Sequence, residues 1–134
     1  MFRRFLIEFC IVLTVTGAIC VAVIVGLHRG LMHADPYPPF MANYQLKTTG
    51  TYMQAKRAFG EFVVDTFPVG SDAKQAVALI TSQGFDILSS TPVRFELLWA
   101  RQAGPCSERF FIVIRQSEDG SIVEATGRLN PACL

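Results

Sequence analysis

The chain has 134 residues, of which 51% are hydrophobic and 17% charged, with a formal net charge of +1. That length holds one small domain beside an apolar segment, which excludes a multi-domain enzyme, a repeat array or a long disordered tail. From Gly30 onward nine Lys/Arg stand against ten Asp/Glu, so the clustered basic excess of a nucleic-acid-binding face is missing.

Much of the apolar excess sits in one run. Phe9–Leu27 is 19 consecutive residues without Asp, Glu, Lys or Arg. A helix of about 20 apolar residues matches the hydrocarbon core of a bilayer, so Phe5–Leu27 is expected to span a membrane once. Arg4 and Glu8 lie four apart and can pair near the headgroups. The run ends in Gly26-Leu27-His28-Arg29, with no small-x-small cleavage site. Neither cysteine in it is preceded by a small residue, since Phe9 precedes Cys10 and Ile19 precedes Cys20. Residues 1–29 therefore read as an uncleaved signal anchor. Arg3 and Arg4 place the N-terminus inside and the rest of the chain outside the inner membrane, in the periplasm. Thr14, Ala18, Ala22 and Gly26 recur every four residues, a small-residue stripe through which two such helices can self-associate.

Residues 30–50 read as a Pro-rich tether. Asp35-Pro36-Tyr37-Pro38-Pro39 cannot continue a helix, because each proline removes a donor and restricts the residue before it. Tyr37, Phe40 and Tyr44 suit a membrane interface, or can dock onto the domain. Residues 51–134 then form one α+β domain. Tyr52, Ala55, Phe59, Phe62, Val63 and Thr66 share one face of a helix over about 51–66, which stops at Phe67-Pro68. Gly70-Ser71-Asp72 offers a turn and cap for a second helix, whose inner face carries Ala73, Ala76, Val77 and Ile80, and Gly84 closes it.

The period then changes from helical to alternating. Val93, Phe95, Leu97 and Trp99 alternate with Arg94, Glu96, Leu98 and Ala100, and Phe110–Gln116 and Ser121–Leu129 flank Asp119-Gly120, a strong hairpin signal. Phe85–Ser90 adds a short edge strand. The expected fold is two helices packed on a three- to four-stranded antiparallel meander.

That hairpin makes a statement about Cys106 and Cys133. With Asp119 and Gly120 as the two central turn residues, Glu118 faces Ser121 and paired residue numbers sum to 239. Cys106 and Cys133 have the same sum, so they are expected opposite each other and disulfide-bonded, with Pro131 and a loop over 103–107 making the last pairs approximate. Such a bond belongs to an oxidising compartment, in agreement with the charge bias at the N-terminus. Cys10 and Cys20 read as apolar fillers.

The catalytic repertoire is thin. His28 and His33 are the only histidines, and neither lies within residues 51–134, so Ser/His, Cys/His and His-based metal sites are not expected there. No Walker or dinucleotide glycine pattern is present. Seven carboxylates (Asp65, Asp72, Asp86, Glu96, Glu108, Glu118 and Glu124) are scattered without a marked pair. The expectation is no enzyme, cofactor or metal, with a carboxylate-dependent hydrolase as the remote alternative.

The order of these elements, with Phe67-Pro68-Val69-Gly70-Ser71, the Gln83-Gly84-Phe85 helix exit, the Asp119-Gly120-Ser121-Ile122 turn and the Cys106 and Cys133-Leu134 pair, resembles the BamE/SmpA/OmlA-like small envelope domains over Thr51–Leu134. The chain departs from that family in having no lipobox, and in ending its second helix with Ser82-Gln83-Gly84-Phe85 rather than Leu-Gly-x-Pro. The resemblance implies the fold and an envelope location, and not a role in barrel assembly.

The functional expectation is a membrane-anchored bacterial envelope protein with a non-enzymatic α+β domain that binds an envelope protein or is structural. The alternative is an inhibitor-like or regulatory module acting on an envelope enzyme. Phe110, Ile112 and Ile114 alternate with Phe111 and Val113, so both faces of that strand are apolar. With Trp99 they form the candidate partner face, since one face covers the helices and the other needs a second cover.

Overall fold

The computed structural model describes residues 14–28, 33–45 and 50–133. The chain divides into two compact units, Met1–His33 and Ala34–Leu134.

In the first unit, residues 14–28 form helix α1, exposed along its described length. Among the described residues no helix is long and apolar enough to cross a membrane, so the expected membrane-spanning helix is not supported by this structure. Residues 5–13 of that expected span lie outside the described residues.

The second unit is α+β. Tyr52–Thr66 forms α3, opened by a capping box in which Thr51 and Gln54 satisfy each other's backbone N–H groups. Its Phe59, Phe62 and Val63 are buried, on the face that the periodicity marks. Ala73–Ser82 forms α4, capped by the Asp72 carboxylate accepting from the Gln75 N–H at 2.8 Å. Gly84, at φ 92°, takes the left-handed position just past its end, where a Cβ is disfavoured.

Four antiparallel strands follow in sheet order β1-β2-β3-β4: β1 Asp86–Thr91, β2 Arg94–Ala103, β3 Cys106–Gln116 and β4 Ile122–Cys133. α3 and α4 lie on one face, where Leu97, Phe110, Ile112, Ile114, Ala125 and Leu129 join Phe59, Val63 and Ile80 in a single core. α3 crosses β4 so closely that a Cβ on Gly127 would stand 2.7 Å from Val63 Cγ2 and 2.9 Å from the Phe59 carbonyl oxygen. Glycine is what lets those two backbones meet.

The β3–β4 register reaches the expected end by an unexpected route. The turn is not the two-residue type: Ser117 N–H donates to the Ser121 carbonyl, Gly120 N–H donates to the Ser117 carbonyl, and Gly120 has φ 87°. This is a three-residue loop with glycine in the left-handed position. Gln116 consequently pairs with Ile122, one residue out of the expected register. A bulge then inserts Val123, so that Arg115 pairs with Glu124 and the register is restored down to Cys106 opposite Cys133. Those two cysteines are bonded, with their sulfurs 2.06 Å apart. At a sequence separation of 27, the cross-link contributes about 3–4 kcal/mol in the chain-entropy model.

Two expectations need correcting here. Residues 103–107 are not a loop: Ala103 pairs with Cys106 across a tight Gly104-Pro105 turn, with Gly104 at φ 61°. Pro131 stays in register opposite Glu108, tolerated because β4 is an edge strand and needs no N–H on its outer side. The described part of the Pro-rich tether is also not a free spacer. Ala34 bridges to Ala103, a 3-10 turn spans Pro39–Met41, and α2 spans Ala42–Gln45. Met41 and Tyr44 have no exposed surface, so this segment is part of the core. The prolines keep residues 35–38 out of a helix, and the segment's Tyr37, Phe40, Met41 and Tyr44 supply apolar surface that α3 and α4 alone do not.

Candidate functional site

The strand expected to carry a partner face splits cleanly by its pleat. Phe110, Ile112 and Ile114 point inward and are fully buried. Trp99 also faces inward, its ring 5.3 Å from Phe110 and 6.0 Å from both Phe85 and Tyr37. These four are core, and neighbouring residues of a strand lie on opposite sides, so the candidate partner-face residues divide between the two faces of the sheet. Only Phe111 and Val113 belong to the outer face.

Within the second unit no described helix packs on that outer face; α3, α4 and the core aromatics all sit on the other. The register places Leu98 and Arg128 on either side of Phe111, Glu96 and Thr126 beside Val113, and Ala100 and Asn130 beside Arg109. The Arg128 guanidinium lies over the Phe111 ring at 5.3 Å. Glu96 pairs with both Arg94, at 3.2 Å, and Arg128, at 3.6 Å, while Arg115 pairs with Glu124 at 2.9 Å. Long charged side chains thus roof Val113, leaving it 9% exposed, while Leu98 and Phe111 remain half-buried.

A second region lies at the end of the sheet where residue 34 joins it. A cleft of about 650 Å³ is lined by Asp35, Tyr37, Tyr44, Tyr52, Arg101 and Glu108, among others. Arg101 and Glu108 are cross-strand neighbours on the inner face, with Nε 2.7 Å from Oε2 and both side chains about a tenth exposed. Arg101 also donates through Nη1 to the Asp35 carbonyl at 2.8 Å, and its guanidinium stands 3.9 Å over the Tyr37 ring. Asp35 N–H donates to the Gln102 carbonyl, and the Asp35 carboxylate accepts from the Gln102 N–H, both at 2.8 Å. Burial, followed by the Glu108 charge, holds the Tyr52 phenol above the ordinary tyrosine range. Desolvation raises Tyr44 further; its hydroxyl donates to the Ala55 carbonyl at 3.4 Å.

These groups satisfy one another. Glu108 is matched by Arg101, and Arg101 by Glu108, Asp35 and Tyr37, so the cluster works as a latch fixing residues 34–37 to the sheet. It presents no nucleophile paired with a base. The sequence did hold a signal for it. The register arithmetic used for the second hairpin, applied across Gly104-Pro105, pairs Arg101 with Glu108.

In α1, Thr14, Ala18, Ala22 and Gly26 recur at the four-residue spacing of one helix face, and nothing lies within 4 Å of a Cβ built on Gly26. Among the described residues no group of three or more His, Cys, Asp or Glu is placed to hold a metal ion. Compared with known proteins, the chain matches no family model, no curated protein sequence and no solved structure.

Proposed function

We propose that the chain is a membrane-anchored bacterial envelope protein whose α+β domain is non-enzymatic and binds a protein partner through the outer face of its sheet. The anchor reading rests on the uncharged run Phe9–Leu27 behind Arg3 and Arg4. It puts residues 1–29 in the inner membrane as a single pass and the domain in the periplasm. The disulfide Cys106–Cys133 supports an oxidising compartment.

One observation carries the binding reading. The outer sheet face has half-buried Phe111 and Leu98 at its centre, and no described element of the second unit covers it. An antiparallel sheet is stable with one wetted face, but aromatic and aliphatic side chains ringed by arginines are the composition of interface centres. The charged groups of the cleft, by contrast, are spent on holding residues 34–37.

Photocrosslinking in intact cells tests this. A photoreactive residue replaces Thr126 or Ala100, both exposed on the outer face, and, as control, Ala78 on the exposed side of α4. Discrete protein adducts are expected from Thr126 and Ala100 and not from Ala78. Adducts equal at all three positions, or none, would remove the binding reading. A reporter fused after Leu134 reads the side of the membrane; activity of a cytoplasm-dependent reporter would overturn the envelope placement.

A further inference from the structure

The outer face has a charge pattern that specifies what it takes. The sheet contains five arginines and no lysine, and four of them, Arg94, Arg109, Arg115 and Arg128, stand on the outer face by register. Against them the same face carries Glu96, Glu124 and, on β1, Asp86. Two guanidiniums share the single carboxylate of Glu96, so Arg128 is only partly neutralised and is held at the longer distance of 3.6 Å. Arg109 is exposed, and its cross-strand neighbours are Ala100 and Asn130, so neither adjacent strand offers it an acid. The positive surplus therefore collects around Arg109 and Arg128, diagonal neighbours two register positions apart on adjacent strands. Phe111 lies between them, opposite Arg128 and two residues along β3 from Arg109. Ala100 and Leu98 on β2 complete a small apolar floor.

Resting on the protein-binding reading above, we propose that this patch docks an acidic protein segment, with Asp or Glu carboxylates on Arg109 and Arg128 and an adjacent apolar side chain on Phe111 and Leu98. Guanidinium forks match carboxylates in a plane, and Arg128, already lying over Phe111, is preordered to receive one. A bare polyanion fits less well. Glu96 and Glu124 are interspersed among the arginines and repel a continuous line of phosphates, whereas a peptide places its acids singly.

The probe is a fluorescein-labelled twelve-residue peptide of alternating Glu and Leu, with its Gln-for-Glu counterpart, titrated by anisotropy with the full chain in uncharged detergent micelles. Saturable binding of the Glu peptide is expected, weakened at least tenfold in Arg109→Ala/Arg128→Ala and by raising salt to about 0.5 M, where the Debye length falls to a few ångströms. Lys74→Ala, on the exposed side of α4, is expected to bind like the parent. Circular dichroism confirms that each variant is folded, and Arg109→Lys/Arg128→Lys, which keeps the charge, covers the case in which the alanine pair does not fold. Equal binding of the Gln peptide, no loss in either arginine variant, or no binding at all would overturn the proposal. Displacement of the peptide by phosphatidylglycerol vesicles, with the vesicles then binding in its place, would overturn it in favour of lipid. Crosslinks from Thr126 that persist while the peptide fails to bind would leave the protein-binding reading standing and reject the acidic partner alone.

Discussion

Phe110 and Phe111 are the same side chain at adjacent positions of β3, and they have opposite fates. Phe110 is fully buried, with Phe59 at 5.0 Å, Trp99 at 5.3 Å and Tyr44 at 5.9 Å around its ring. Phe111, on the other side of the pleat, is half-buried under Arg128. The same division runs through the ion pairs: Arg101–Glu108 is inner and nearly dry, Arg115–Glu124 outer and about half exposed. One face of the sheet carries the core, and the other stays partly open to solvent. Composition alone is blind to this, since both faces draw on the same residue types.

The sharpest way to break the comparison is to truncate both phenylalanines. Phe110→Ala should cost about 4 kcal/mol, since it empties the centre of an aromatic cluster that cannot collapse. Phe111→Ala should cost about 1 kcal/mol, since solvent and Arg128 already replace most of what it touches. Urea unfolding of both variants, read through Trp99, measures the difference; similar losses would mean that the outer face is also core.

Next come the ion pairs. Glu108→Gln leaves Arg101 short of its carboxylate in a nearly dry site and should cost about 3 kcal/mol. Glu124→Gln, at an exposed pair, should fall within about 0.5 kcal/mol of the parent. Chemical denaturation at low and high salt separates them, because screening reaches only the outer pair.

Gly127→Ala is a smaller test of the inner face. Its Cβ meets Val63 and the Phe59 carbonyl below 3.0 Å, so α3 must shift, and the loss should be about 2 kcal/mol. Thr126→Ala, its outward neighbour on β4, should be nearly neutral in the same thermal scan.

The smallest effects are in pH. The Asp119 carboxyl is held below its usual value by the Ser117 hydroxyl and the Ser121 N–H and hydroxyl. Its folded state binds its proton less readily than its unfolded state, so this contribution is present above the unfolded pKa and fades as pH falls through the folded one. Tyr52 has the opposite sign. Burial and Glu108 raise its phenol, so its contribution is intact below the ordinary tyrosine range and is lost as pH rises through its folded value. Asp119→Asn should flatten only the acid limb of the stability profile, and Tyr52→Phe only the alkaline limb.

Much of the fold was legible because its signals are local. The helical face of Phe59, Phe62 and Val63, the Asp72 cap, Gly84 past its helix and the alternation around Leu97 each depend on periods of the chain itself. The pairing of Cys106 with Cys133 was legible too, but through a premise that the turn did not satisfy. Two single-residue shifts, one at Gly120 and one at Val123, cancelled, and the long-range register survived both. Residues 34–45 were misjudged for a different reason. Prolines mark 35–38 as a break from helix, and nothing local says whether the segment around such a break is free or docked. The same limit applies to the candidate site. Alternation announced two apolar faces on β3, but which of them the helices take is set by where α3 crosses β4.

By itself the sequence determined α3, α4, the strands, their order and the apolar run at the N-terminus, since each follows from neighbouring side chains and the period of the backbone. The tertiary structure alone decided which face of β3 became core, that Arg101 and Glu108 would clasp Asp35 and Tyr37, and that Arg109 would stand without an acid across either strand. Those outcomes depend on which segments far apart in the chain arrive at the same place, and burial and charge pairing are settled only on their arrival.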